Sequence, residues 1–179
     1  FTGSKEIGLR IAERSAKVAP GQKWLKRAFL EMGGKDAMIV DETADLKAAA
    51  ADAVRSAFGF QGQKCSAASR LILVADIYDD VLGRVVEGAG SLRIGPPEEN
   101  FPVGPVISAT QHRAILSEID KGKQEGRLVL GGSAVDLDGG WYLQPTIFAD
   151  VDPGARLAQN EIFGPVLSVI RARDFDHAL

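Results

Sequence analysis

The sequence predicts an α/β layered fold with a largely parallel, open sheet. Helical stretches and short apolar strands alternate along the chain, which is the pattern of strand–helix–strand units. Ala37-Met38-Ile39-Val40 is a continuous apolar run of the kind found where a strand is covered on both faces. Val166-Leu167-Ser168-Val169-Ile170 is strand-like by composition.

The elements follow in order. Gly3-Ser4-Lys5-Glu6-Ile7-Gly8 reads as a strand end turning into a helix, with Ser4 at the N-cap and apolar residues at helical spacing up to Val18. Pro20-Gly21 breaks that helix. Trp24 to Met32 carries apolar positions suited to a strand and ends at Gly33-Gly34. After the strand at Ala37–Val40, Asp45 caps an Ala-rich helix running through Phe58. Arg70 to Val74 is the next strand, and Asp76 can cap a helix to about Leu92. Gly95-Pro96-Pro97 opens a loop. Ser108 and Gln111 then have the spacing of a capping box, for a helix ending near Gly126. Leu128-Val129-Leu130 stops at Gly131-Gly132. Beyond a turn-rich stretch lie Trp141-Tyr142-Leu143, Thr146-Ile147-Phe148 and the Val166–Ile170 strand.

Bulk properties exclude several classes of function. The chain has 179 residues, enough for one ordinary domain with a proper core, and 45% hydrophobic with 25% charged residues is the balance of a soluble globular protein. A formal net charge of -3 leaves no basic footprint for nucleic acid. No apolar run approaches a membrane span. One cysteine argues against a disulfide scaffold and fits a reducing compartment. The chain opens on Phe1 without Met and closes where a helix starts at Asp174, so it reads as a piece of a longer polypeptide whose targeting signal, if any, lies upstream.

The chemistry centres on that cysteine. Cys65 sits in Phe58-Gly59-Phe60-Gln61-Gly62-Gln63-Lys64-Cys65-Ser66, where glycines allow a tight bend or close approach to a ligand. A thiol so placed is a candidate nucleophile, and its alternative is a small buried apolar side chain. Three other segments bear on the choice. Gly3, Ser4 and Gly8 stand at a strand-to-helix junction, where backbone N–H groups and the helix dipole favour an anion such as a pyrophosphate. The full G-x-G-x-x-G pattern is lacking, and a glycine turn is also ordinary punctuation. Glu31, before Met32-Gly33-Gly34-Lys35, can serve as a general base or be a solvated strand end. Glu161 and Phe163 can share one side of an extended segment, the carboxylate accepting from ribose hydroxyls and the ring packing on a flat heterocycle. Taken in isolation, the segment reads rather as a loop acid followed by a core aromatic.

Taken together, Phe1-Thr2-Gly3-Ser4, Glu31-Met32-Gly33-Gly34-Lys35, Gly62-Gln63-Lys64-Cys65 and Glu161-Ile162-Phe163-Gly164-Pro165 resemble, in this order, the signature motifs of the NAD(P)-dependent aldehyde dehydrogenase superfamily. The resemblance covers essentially the whole chain. Pro20 to Arg27 and Phe58 to Arg70 resemble its 1-pyrroline-5-carboxylate (glutamate γ-semialdehyde) dehydrogenase branch, bacterial forms above all.

The resemblance implies an aldehyde-dehydrogenase-like fold. Residues 1–34 would be the C-terminal end of the NAD-binding domain and 35–179 a catalytic domain truncated at its C-terminal end. It implies that Cys65 attacks the aldehyde to give a thiohemiacetal, that hydride passes to the nicotinamide, and that Glu31 activates water against the resulting thioester. An ordinary thiol is only a few per cent thiolate at neutral pH, so Lys64 is a candidate helper unless it points to solvent. The backbone N–H of Cys65 would be one oxyanion donor. The family's second donor, an Asn side chain, comes from a segment outside this chain, as do the adenosine contacts and the substrate-holding loop. The isolated chain is therefore expected to be inactive. Gly3, Ser4, Gly8, Met32, Glu161 and Phe163 would contact the cofactor, NAD with NADP left open. Met32, where Leu is more common, is a volume-conserving change. Ser66 would help hold the substrate carboxylate or else bond its own backbone.

The reaction implied is oxidation of glutamate γ-semialdehyde to glutamate in proline degradation, without a metal. The location would be cytoplasmic if the source is bacterial and the mitochondrial matrix if it is eukaryotic. The partners would be a small-molecule aldehyde and further copies of the same chain. Another semialdehyde, an aliphatic aldehyde, or a non-catalytic scaffold role are the alternatives.

Overall fold

Ser4 starts the first helix, α1 (Lys5–Ala16), its hydroxyl accepting the Ile7 N–H at 3.4 Å and satisfying one of the donors that every helix leaves open at its start. In the computed structural model, which describes residues 1–137 and 139–179, the chain divides into two units, Phe1–Gly34 and Lys35–Leu179. In the first unit α1 stops at Ala16 rather than Val18, because Lys17 is already extended at φ -76°, ψ 119°. The strand expected over Trp24–Met32 does not form. Among the described residues only Phe1–Gly3 offers it a partner, through Phe1 N to Phe29 O, Glu31 N to Phe1 O and Gly3 N to Glu31 O, so pairing is confined to a bridge between Thr2 and Glu31. Trp24, Leu25 and Phe29 stay exposed. Apolar composition made the segment look like a strand, but a strand needs a neighbour along its length to take its backbone groups.

The second unit runs β1 (Asp36–Val40), α2 (Leu46–Phe58), β2 (Ala68–Val74), α3 (Tyr78–Gly90), α4 (Ala109–Gly122), β3 (Arg127–Leu130), β4 (Ala134–Val135), β5 (Tyr142–Leu143), β6 (Thr146–Ala149), α5 (Arg156–Gln159), β7 (Val166–Ala172) and α6 (Phe175–Ala178). Among the described residues one sheet has the order β1-β2-β7-β6-β3, with β1–β2, β2–β7 and β6–β7 parallel and β3 antiparallel at the edge. This is the α/β fold with a largely parallel sheet. A small antiparallel pair joins β4, in the stretch that sequence marks as turn-rich, to β5, in the Trp141-Tyr142-Leu143 run beyond it.

Strand alternation sorts the apolar residues into two cores. Leu71 and Leu73 of β2, Ile147 of β6, and Leu167 and Val169 of β7 pack with Val54, Phe58, Val81 and Val85 of α2 and α3. Phe148 of β6, with Val166 and Ile170 of β7, packs with Ile115 and Ile119 of α4 and Leu157 of α5. Each of these buried apolar side chains contributes about 1.5–3 kcal/mol relative to exposure. Burial on both faces is why the central strands read as unbroken apolar runs.

Caps explain where most helices begin. Asp45 Oδ1 accepts the Lys47 and Ala48 N–H groups, both at 3.0 Å. Asp76 is not a cap. It lies in a 3₁₀ turn, Ala75–Ile77, and α3 starts at Tyr78 with no side-chain cap bond. What fixes that start is a latch: the buried Tyr78 hydroxyl donates to Asp150 Oδ1 and accepts the Asp150 N–H, both at 2.9 Å, while Arg171 lies 3.8 Å over the Tyr78 ring. Burial, foremost, pushes the Tyr78 phenol up to about 12, and the Asp150 carboxyl beside it adds to this. The folded chain therefore holds this proton where the unfolded one has lost it, so the contribution falls as pH rises from about 10 to about 12. Tyr78→Phe leaves the Asp150 N–H without its partner. It should lower stability by about 1–3 kcal/mol, read as a reduced urea midpoint of the full-length protein at unchanged slope.

The helix expected to end near Gly126 ends at Gly122 and gives way to turns through Gly126. Among the described residues no helix is long and apolar enough to cross a membrane, and no cluster of His, Cys, Asp or Glu could hold a metal.

Candidate active site

The turn that carries Cys65 is held from several sides. After α2 the chain takes three successive left-handed residues, Phe60 (φ 57°), Gln61 (φ 56°) and Gly62 (φ 64°). Each non-glycine residue there costs about 1–2 kcal/mol. Local bonds offset the cost. With its amide oxygen toward Gly104, Gln61 accepts that N–H at 2.8 Å and donates to Phe60 O at 3.2 Å. Gln63 N–H bonds Phe60 O, and Gln63 Oε1 accepts the Ile107 N–H, both at 3.0 Å. Gly62 is required twice over: its φ is left-handed, and a Cβ there would lie 2.3 Å from Gly164 O.

On that base Lys64–Ala67 forms a turn closed by Ala67 N to Lys64 O at 3.2 Å, with Cys65 and Ser66 at its centre and both exposed. Ala67 and Ala68 are buried and anchor the return into β2. The thiol is thus not a buried apolar filler. Among the described residues nothing accepts the Cys65 N–H, which leaves it available to charge developing on a carbonyl held at the sulfur. Lys64 is exposed, as a solvated lysine would be. Ser66 makes no bond to its own backbone, and its hydroxyl has no partner among the described residues.

The loop after α5 carries Glu161 and Phe163. Both are exposed, Phe163 at 38%. The segment is not extended as expected: Phe163 has φ 56°, so alternation along a strand does not govern where the two side chains point. The loop's shape comes from its neighbours. Gln111, in the first turn of α4, donates through Nε2 to Ile162 O at 3.0 Å and Phe163 O at 3.1 Å. The capping box is therefore half formed: Ser108 Oγ takes the Gln111 N–H at 3.2 Å, but the Gln111 side chain serves this loop instead of the cap. Gly164 seats the loop on Ile115 and on Gly62, joining the two motifs through backbone contact.

Lys35, at the head of β1, reaches α5, the short helix that precedes this loop. Its ammonium donates to Leu157 O at 2.9 Å, where Ser168 Oγ also donates at 3.2 Å. Burial, then the nearby Arg70, lowers Lys35 to about 8, partly opposed by Glu161. The unfolded chain binds this proton up to about 10.5 and the folded one only to about 8, so this group makes folding more favourable as pH rises between those values.

In the first unit, Gly3, Ser4, Gly8, Glu31 and Met32 form one local arrangement. Gly3 and Glu31 pair by backbone, Ser4 caps α1, and Gly8 lets α1 pack on Met32, whose Sδ would lie 2.6 Å from a Cβ at that position. Glu31 is exposed. The residues sequence reasoning missed are Gln61, Gln63 and Gln111. The only local signal was Gln111 at the N3 position, and that signal pointed to a cap.

A family model described as the aldehyde dehydrogenase family matches residues 1–179. The chain is 58% identical over 180 residues to a 1-pyrroline-5-carboxylate dehydrogenase of Geobacillus kaustophilus, covering 100% of this chain and 35% of that protein. It is 53% identical to the protein of the same name from Bacillus subtilis, with the same coverage. A solved structure of 1-pyrroline-5-carboxylate dehydrogenase from Thermus with bound NAD superposes with a TM-score of 0.96 at 59% identity, over 99% of this chain and 34% of that one. The chain thus spans about a third of the length of the curated relatives it matches.

Proposed function

We propose, because this chain belongs to the aldehyde dehydrogenase family, that it supplies the nucleophile-bearing part of an enzyme oxidising L-glutamate γ-semialdehyde to L-glutamate with NAD. The observation that carries this reading is the exposed Cys65 at the centre of a turn clamped on both sides, with its own N–H undonated. The names and identities of the relatives support the substrate.

In this reading the Cys65 sulfur adds to the aldehyde carbon, and the carbonyl oxygen gains negative charge against the Cys65 N–H. Bound NAD would supply the acceptor for the hydride that this carbon gives up. The carbon is then held to Cys65 as a thioester. Glu31 takes a proton from water, whose oxygen attacks the thioester carbon, and Cys65 leaves as the thiolate. Gly3, Ser4 and Gly8 would bring the start of α1 to the pyrophosphate, where N–H groups and helix dipole favour anions. Met32 would line the cofactor site. Glu161 would accept from the ribose hydroxyls, and the Phe163 ring would pack at the nicotinamide. The exposure of Glu161 and Phe163 on one clamped loop fits that use. Ser66, whose hydroxyl is unengaged, would donate to the substrate carboxylate. As domains, residues 1–34 would close the cofactor-binding part and 35–179 belong to the catalytic part. We further place the protein in a bacterial cytoplasm as a homo-oligomer, which size-exclusion chromatography with light scattering would test.

Steady-state comparison on the full-length protein tests the substrate. Glutamate γ-semialdehyde should give the highest kcat/KM, above succinate semialdehyde and simple aliphatic aldehydes, with NAD preferred to NADP. A higher kcat/KM for one of the other aldehydes would move the reading to that substrate.

A further inference from the structure

Lys35 has no task in the chemistry above, yet its placement is costly. It holds an ammonium in a half-buried position, beside the guanidinium of Arg70. Arg70 Nε is itself buried without a hydrogen-bond partner. Two cations at the head of adjacent parallel strands, β1 and β2, repel each other, and the carboxylate of Glu161 acts on Lys35 in the opposite sense. Lys35 also ties down the turn that leads into the Glu161 loop. Its Nζ and Ser168 Oγ converge on Leu157 O, and Leu157 N–H is taken by Glu125 Oε2 at 2.8 Å. The far end of the loop is held by Gln111 and by the Gly164 contact.

We propose that Lys35 is a positioning residue for cofactor binding: it pins the α5 turn through Leu157 O and holds Glu161 by charge, so that affinity for the dinucleotide, and not the thiol chemistry, depends on it. The inference rests on the reading of Glu161 as the ribose ligand. It has a pH signature. The groups facing the Lys35 ammonium are Arg70 from β2, Ser168 from β7 and Glu161 from the loop. Loss of the Lys35 proton near pH 8 removes the cation that this inference sets against Glu161.

The test uses the full-length enzyme with K35M, K35R, K35Q and E161Q, measuring kcat and KM for NAD on either side of pH 8, together with the rate at which iodoacetamide alkylates Cys65 without cofactor. K35M should raise the KM for NAD about tenfold, the loss of one charge-assisted contact, with kcat and alkylation within about twofold of wild type. The wild-type KM should rise as pH passes about 8, and K35R should restore a low KM that no longer rises there. K35Q, which keeps a donor for Leu157 O but no charge, should behave as K35M and serves if K35M fails to fold. A K35M or K35Q protein with lowered melting temperature but unchanged KM, or with lowered kcat at unchanged KM, overturns the inference. If E161Q raises the KM for NAD and the Lys35 variants do not, this inference alone falls. If E161Q leaves it unchanged, the ribose reading falls and takes this inference with it.

Discussion

Cys65→Ser in the full-length protein should lower aldehyde oxidation by about 10⁴-fold or more, while the urea midpoint stays within about 0.5 kcal/mol of wild type. The two halves of this expectation rest on different facts. Activity falls because a hydroxyl is a far weaker nucleophile than a thiol, and because the alkoxide would be a poorer leaving group than the thiolate in the hydrolysis step. Stability holds because the side chain is exposed and serves no packing role. The turn around it is fixed by Gln61, Gln63 and Gly62, none of which the substitution touches. A variant that kept most of its activity would remove Cys65 from the chemistry. A variant that unfolded would make the thiol a structural group after all.

Gly62→Ala is the second large effect. Two independent costs meet at this residue. An L side chain at φ 64° is strained by about 1–2 kcal/mol. Its Cβ would also stand 2.3 Å from Gly164 O, a backbone atom that cannot rotate away, at an overpacking cost of about 1–3 kcal/mol. Together they should lower stability by about 2–5 kcal/mol. Because the relief available is a shift of the turn, they should also displace Cys65 and Glu161 at once. Gly164→Ala makes the internal control. The atoms nearest its Cβ would be side-chain atoms of Ile115, Cδ1 at 2.5 Å, Cγ1 at 2.8 Å and Cγ2 at 3.1 Å, with no backbone atom among them, and its φ is not left-handed. That variant should lose only about 1–3 kcal/mol. Urea unfolding of both variants checks the order, and equal losses would show that backbone contact between the two loops is not what requires glycine at position 62.

The parts of this molecule that sequence reveals are those fixed by local chemistry or by burial on two faces. Asp45 and Ser108 cap the helices that their spacing predicts, because an N-cap needs only an oxygen within two or three residues of the open N–H groups. The strand around Val169 is legible because Val166–Ile170 are all buried, whereas β1, at the edge of the sheet, reads as a fully covered strand yet keeps Ala37 exposed and Met38 and Ile39 half-buried. Trp24–Met32 misleads for the opposite reason: its composition suits a strand, but pairing is a long-range fact. Asp76 misleads because a buried latch between Tyr78 and Asp150, 72 residues apart, sets the start of α3.

The candidate site divides in the same way. Cys65, Glu31 and Glu161 stand out in the sequence because they lie in motifs with glycines beside them. The groups that shape their surroundings do not. Phe60, Gln61 and Phe163 are left-handed with nothing in their identity to announce it. Gln111 and Lys35 act on carbonyls 51 and 122 residues away. No local pattern encodes such pairings.

Chemical quench of a single turnover, followed by mass spectrometry of the peptides, tests the nucleophile most directly. The full-length protein carrying Glu31→Gln, mixed with NAD and glutamate γ-semialdehyde, should form NADH in a burst no larger than the enzyme concentration. The peptide containing Cys65 should then carry a glutamyl group, as mass, that hydroxylamine removes. A burst with Cys65 unmodified, or an adduct on another residue, would contradict the account.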